Sequence, residues 1–234
     1  MNTKIDLRKY LTERDSKKES FYLSDKPVIT ISREFGCNAK AIARKLVLKL
    51  NKEYETTKHK DQWKWINKEI LTESARELKV DIKRIRHIFE SEERGVFGEL
   101  IRTHTERYYT SDQKIKQAIA KVIRSFIHEG HVIIVGRGAV SIARDHPRSL
   151  HLMLQAPFDW RVEQVSRKRN IPVQNVIPYA KEIDFKRKKF RDFFLVGESD
   201  TTLFDVVYNR MTLSDADIVD SILCLMRNRE MLDV

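Results

Sequence analysis

Cysteine, proline and glycine are all scarce in this chain of 234 residues, at two, five and seven. The two cysteines, Cys37 and Cys224, form neither a disulfide framework nor a zinc pattern and fit a reducing compartment. No apolar run reaches the length that spans a bilayer, and the first thirty residues hold none of signal-peptide length, so the expectation is a cytoplasmic protein with no membrane partner. Internal repeats and low-complexity segments are also lacking. What the chain has in abundance is charge: 45 Lys and Arg against 34 Asp and Glu, a net charge of +11. That excess draws polyanions without choosing among nucleotides, nucleic acids and anionic surfaces, and it equally suits a solvated basic surface. At 41% hydrophobic and 34% charged the composition is globular, which excludes wholesale disorder, and one large domain is expected.

Residues 1 to 26 are dense in charge and poor in apolar residues, the composition of an arm, and residues 27 to 234 then form the domain. Pro27 to Ile31 is a β-branched run of the length and composition of a buried parallel strand. From Ala39 the apolar residues Ala39, Ile42, Ala43, Leu46 and Leu50 fall at helical spacing. Trp63, Trp65 and Ile66 suggest a second short strand and Asn67 to Leu78 a helix, with further helical pieces over 81 to 107. Ile115, Ala118, Ile119, Val122, Ile123, Phe126 and Ile127 make a helical series that stops at Gly130, the usual terminator. Beyond it, strands are expected at His131 to Val135, Leu150 to Leu154 and Leu203 to Val207. Helices are expected at Ala139 to Arg144, Asp159 to about Lys168, Val173 to Phe194 and after a Ser214 cap. Strands alternating with helices specify an α/β fold with a mostly parallel sheet and helices on both faces.

A buried strand that feeds a tight loop and then a helix N-terminus suits phosphate, because free backbone N–H groups and the helix dipole converge there. The loop is Ser32, Arg33, Glu34, Phe35, Gly36, Cys37, Asn38, Ala39, Lys40, Ala41. Against G-x-x-x-x-G-K-[ST] only Lys40 matches, with Glu34 and Ala39 at the two glycine positions and Ala41 at the hydroxyl position. Lys40 is then either an ammonium that reaches β- and γ-phosphates or an ordinary solvent-facing helix lysine. Arg137, in a Gly-Arg-Gly turn after a buried strand, lies where open α/β sheets bind ligands, or is a turn arginine paired with an acid. Arg187 and Arg191 share a helix face within a basic stretch, Lys181 to Arg191, that suits a phosphate clamp, a solvated helix or a nucleic-acid contact. Cys37 is either a low-pKa thiol at a helix N-terminus or a small filler. Trp63, Trp65, Tyr108 and Tyr109 suit base stacking or core packing, and His128 and His131 flank a helix end.

Several segments together resemble the bacterial cytidylate kinase-like family: Ile29 to Gly36, Asn67 to Leu71, Val132 to Ala139, Gln155 to Pro157 with Arg161, and Asp184 with Arg187 ahead of Asp200 to Asp205. They come in the family's order over roughly residues 27 to 225. The resemblance implies a three-layer P-loop kinase-type fold with a helical acceptor-side insertion and an arginine-bearing lid. It implies ATP and Mg²⁺ as cofactors and nucleotide substrates, with CMP or dCMP as acceptor. Residue by residue, Ser32 to Ala41 would cradle the donor phosphates, Asn67, Arg137 and Arg161 would bind the acceptor, and Arg187 and Arg191 would close over the transferring group. The chain departs from the family where Cys37, Asn38 and Ala39 replace glycine-rich sequence, where Asn67 replaces an Asp, and where Ala41 removes a Mg²⁺-binding hydroxyl. These departures motivate a second reading, a non-catalytic nucleotide or phosphate sensor. A third is a basic nucleic-acid-binding protein. Oligomeric state is left open.

Overall fold

The computed structural model describes residues 24–56, 61–67, 72, 74, 109–195 and 202–232. The arm before residue 24, most of the helix expected over 67 to 78, and the stretch 81 to 107 lie outside the described residues. Five strands form one parallel sheet in the order β2-β3-β1-β4-β5, with β1 (Val28–Arg33) in the centre. On either side of it lie β3 (Val132–Val135) and β4 (Ser149–Gln155), with β2 (Lys64–Ile66) and β5 (Val206–Asn209) outermost. Among the described residues the helices are α1 (Ala39–Thr56), α2 (Tyr109–Glu129), α3 (Ala139–Ala143), α4 (Phe158–Arg169), α5 (Val173–Asp192) and α6 (Asp215–Asn228).

Alternation along each strand sorts side chains between two layers. Ile29, Ile31, Ile133, Val135, Leu150, Leu152 and Leu154 meet Ile42, Leu46 and Leu50 of α1 and Ile218, Ile222 and Met226 of α6. Val28, Val132 and Ile134 meet Ile119, Ile123 and Ile127 of α2 and Ile142 of α3. Each such fully buried aliphatic side chain contributes roughly 1.5 to 3 kcal/mol. Both faces are therefore covered, as a parallel sheet requires. Local signals end the elements: Gly130, at φ 69, returns its N–H to Phe126 and Ile127 carbonyls, and Ser214 with Asp217 forms a capping box before α6.

Several boundaries shift by one to three residues from the sequence expectation, and two of the shifts have a visible cause. β1 runs two residues further, because β4 continues alongside it and pairs Ser32 with Met153 and Arg33 with Leu154. β5 begins at Val206 rather than Leu203. Asp205 fastens the chain to β4 first, donating its N–H to the His151 carbonyl at 2.8 Å and accepting the His151 N–H at 2.6 Å, while Leu203 is buried ahead of the ladder.

On the second face, polar groups replace aliphatic ones at the β1–β4 pair. Ser149 Oγ donates to the His146 carbonyl at 2.7 Å, so it accepts from His151 Nε2 at 3.0 Å. His151 Nδ1 must then accept from Thr30 Oγ1 at 2.8 Å. Both ring nitrogens are used by the neutral imidazole, and burial pushes the His151 pKa down from 6.5 to about 4, with the Asp205 charge opposing. Between those pH values the unfolded chain binds a proton that the folded chain does not, so stability falls as pH drops through the window. Urea unfolding of the wild type and His151→Gln at pH 7 and pH 4 should show the wild type losing about 3 kcal/mol more than the variant over that interval. An equal loss in both would contradict the buried neutral imidazole.

Candidate active site

In a parallel sheet every strand delivers its C-terminal residue to the same edge. Here that edge gathers Arg33 after β1, Asn67 after β2, Gly136 after β3, Ala156 after β4 and Arg210 after β5. Between β1 and α1 the loop departs from Arg33 and enters the helix at Ala39, which puts Lys40 in its first turn, half-exposed. Glu34 N–H extends the ladder to the Leu154 carbonyl at 3.0 Å, Cys37 N–H turns back to Glu34 at 3.3 Å, and Ala41 N–H to Asn38 at 3.1 Å. Gly36 and Asn38 take positive φ, 88 and 39. At Gly36 a Cβ would stand 3.1 Å from both the Cβ and the carbonyl oxygen of Arg161, so glycine is what lets the loop pass α4.

The first half of the loop is bound to α4 and α5. Phe35 is buried among Val162, Val176, Tyr179, Ala180 and Ile183, edge-on to the Tyr179 ring at 5.3 Å. Its N–H donates to Asp184 Oδ1 at 2.6 Å, and its carbonyl accepts from Arg161 Nη1 at 3.0 Å. Arg161 is 4% exposed; it also donates to Asp184 Oδ2 at 2.6 Å and to the Ala156 carbonyl at 2.9 Å, and pairs with Glu34 Oε2 at 3.2 Å. The guanidinium expected on an acceptor is thus spent on protein partners.

Across the β1 end stands the Gly136-Arg137-Gly138 turn. Gly136 N–H bonds the Ile31 carbonyl at 3.0 Å, a Cβ at Gly136 would run into the Arg33 guanidinium, and Arg137 is buried at φ 62. Phe190 and Phe194 close over Gly138. Arg187 reaches the same place, donating to the Arg33 carbonyl at 3.1 Å. Arg191, four residues on, is seated apart: its guanidinium lies 5.8 Å from the Phe204 ring and its carbonyl accepts from Ser141 Oγ at 3.2 Å. Asn67 is buried at the end of β2. Lys40, Arg137, Arg187 and Asn67 therefore share the edge, whereas Arg161 and Arg191 sit behind it.

The other expectations resolve through burial. Cys37 is a filler, its thiol pushed up to about 12 by burial against the opposing charge of Arg161. Trp63 is core, packed edge-on to His131 at 5.5 Å at the far end of the sheet. The basic stretch of α5 is not one open cationic face: Lys186 pairs with Glu182 and Lys188 with Asp192, while Lys189 lies over the Phe185 ring at 4.8 Å. No helix among the described residues is long and apolar enough to cross a membrane.

Strand, loop and helix N-terminus with Lys40 fit a nucleotide's phosphates. They do not fit a resident metal ion. Ala41 offers no side-chain oxygen, Glu34 and Asp184 are directed at Arg161, and among the described residues no three His, Cys, Asp or Glu side chains are grouped to ligate one. A second network escaped the sequence: Arg210 bonds Asp215 at 2.5 Å and the Leu213 carbonyl at 3.1 Å, and Lys45 bonds Asp215 at 2.7 Å. Burial opposes ionisation of Asp215, but the bonds from Lys45 and Arg210 outweigh it and hold its pKa below the usual value. No local pattern pairs residues 170 positions apart.

The family model described as the cytidylate kinase-like family matches residues 28–212. No curated protein is a significant match to the chain. Among solved structures, an uncharacterized protein from Eubacterium ventriosum is 19% identical with a TM-score of 0.58, covering 86% of this chain and 99% of its own. A shikimate kinase from Acinetobacter baumannii is 13% identical with a TM-score of 0.49, covering 91% and 98%. A shikimate kinase from Aquifex aeolicus is also 13% identical, with a TM-score of 0.46, covering 87% and 98%.

A thiol count checks the loop's packing. A disulfide reagent at pH 8 should modify Cys224, which is exposed, and leave Cys37 unmodified until the chain is unfolded. Rapid modification of both thiols in the folded protein would contradict the burial of Cys37.

Proposed function

We propose that this chain, which belongs to the cytidylate kinase-like family, is a phosphotransferase that moves the γ-phosphoryl group of ATP to a nucleoside monophosphate. CMP and dCMP are the acceptors that the family suggests. The observation that carries the reading is the meeting of two anion-binding features at one sheet edge: the β1–α1 loop with Lys40, and the Gly136-Arg137-Gly138 turn, joined by the Gly136 N–H bond to Ile31.

Phosphoryl transfer asks little covalent chemistry of a protein and much positioning and charge stabilisation. In the proposed reaction the bond from the γ-phosphorus to the bridging oxygen breaks, the electron pair stays on ADP, and an acceptor phosphate oxygen forms the new bond, giving a nucleoside diphosphate. The loop and the α1 N-terminus hold the donor phosphates, and Lys40 offsets charge at the β- and γ-phosphates. Arg137, with Asn67 at the end of the neighbouring strand β2, orients the acceptor phosphate. Arg187, bonded to the Arg33 carbonyl at the end of β1, offsets charge that develops on the transferring group. The setting is cytoplasmic in this reading.

A second reading, a nucleotide or phosphate sensor without turnover, is favoured by Ala41 and by the two carboxylates, Glu34 and Asp184, bound beside the loop. Purified protein incubated with Mg·ATP and a panel of nucleoside monophosphates separates the two. ADP release should depend on one acceptor and fall by about 100-fold or more in Lys40→Ala and Arg137→Ala. ATP binding without turnover for any acceptor selects the sensor, and undiminished turnover in Lys40→Ala removes the loop assignment.

A further inference from the structure

A phosphate loop normally keeps its shape through glycines that accept left-handed dihedrals. This loop has one, Gly36, and Glu34 and Ala39 stand at the two positions where the pattern has glycine. Its shape is imposed from outside. Every group of Phe35 is held by α4 or α5: the ring by Val162, Val176, Ala180 and Ile183, the N–H by Asp184, the carbonyl by Arg161. The 2.6 Å bond between Arg161 and Asp184 closes these contacts into a ring around the Phe35 peptide. Glu34 adds a second tie, accepting the Ala156 N–H at 3.1 Å beside the Arg161 Nε. One helical turn beyond Asp184, Arg187 donates to the Arg33 carbonyl, so the helix that holds the loop also delivers a guanidinium to the end of β1.

We propose that Arg161 and Asp184 are positioning residues that lock the phosphate loop to the α4–α5 hairpin, so that the loop and Arg187 meet the phosphates as one preset unit. The role rests on the reading of the loop as a phosphate site. It has an electrostatic side as well as a geometric one. Glu34 and Asp184 place two negative charges next to a site for anions, and Arg161 compensates one of them. Loss of Arg161 therefore both loosens the loop and worsens its field, whereas loss of the Asp184 carboxylate loosens the loop while removing one negative charge. Setting the geometry in advance spares the ordering cost when the ligand arrives, and that saving appears as affinity.

The test measures ATP and tripolyphosphate affinity by calorimetry, and amide hydrogen exchange over residues 33–38 and 182–190, for the full-length wild type, Asp184→Ala, Asp184→Asn and Arg161→Lys. In Asp184→Ala, exchange should rise in both segments together and affinity for both ligands should fall by about tenfold. Asp184→Asn keeps an acceptor for the Phe35 N–H and should stay within about threefold of the wild type. Arg161→Lys keeps the charge but loses the planar fork that reaches Phe35, Asp184 and Ala156, and should lose affinity by about tenfold; it decides the matter if Asp184→Ala does not fold. Wild-type affinity in a folded Asp184→Ala or Arg161→Lys, with or without faster exchange, overturns the positioning role alone. A wild type that binds neither ATP nor tripolyphosphate overturns the phosphate-site reading and this role with it.

Discussion

A guanidinium buried without compensation costs several kcal/mol, and removing one partner of a buried pair costs roughly 3 to 5 kcal/mol. Arg161 is buried to that degree, and its surroundings are arranged around the requirement. Two backbone carbonyls, Phe35 and Ala156, and two carboxylates, Glu34 and Asp184, converge on it from the loop after β1, the turn after β4 and the middle of α5. Three separate segments are thereby fixed to one planar cation. The path of the loop past α4, the glycine at 36 and the insertion of Phe35 into the hairpin core belong to the same arrangement. The sheet supplies the edge, and Arg161 determines how the loop sits on it.

The remaining cations at that edge are held with comparable economy. Arg33 lies against Gly136, Arg187 bonds the Arg33 carbonyl, and on the far side of the loop Arg210 and Lys45 share Asp215. Positive charge is thus distributed around the β1–α1 junction by four cations, from β1, α1, α5 and the turn after β5. Several basic residues in solvent on α4 and α5 pair instead with acids one turn away, as Arg167 does with Glu163, and exposed pairs of that kind contribute little. The net charge of +11 is a poor guide to where an anion would bind; the organised part of it lies at one edge.

The layers were legible because they rest on local periods. Ile29 and Ile31 alternate, Ala39 to Leu50 and Ile115 to Ile127 repeat at helical spacing, and Gly130 and Ser214 mark helix ends, so strand and helix identities followed from short stretches. The loop was recognisable for the same reason. Its supports were not. Asp184 and Phe35 are 149 positions apart, and nothing near either residue signals the bond. Arg161 was placed on an acceptor by the family resemblance alone, since a lone arginine after a strand carries no sign of whether its partners will be solute or backbone. Cys37 could be read either way, since a helix N-terminus lowers a thiol pKa and burial raises it, and only the packing of the loop showed that burial dominates. The start of β5 moved because Asp205 pairs with His151 across the sheet, a contact without a local pattern.

The central claim is that the edge between the β1–α1 loop and the Gly136-Arg137-Gly138 turn is where this protein binds a nucleotide's phosphates. Backbone amide shifts of the isotope-labelled protein, followed while ATP is titrated, test it residue by residue. The account predicts saturable shifts concentrated at Gly36 to Lys40 and at Gly136 to Gly138. Shifts confined to the solvent-facing basic residues of α4 and α5, or none at any ATP concentration, would contradict it.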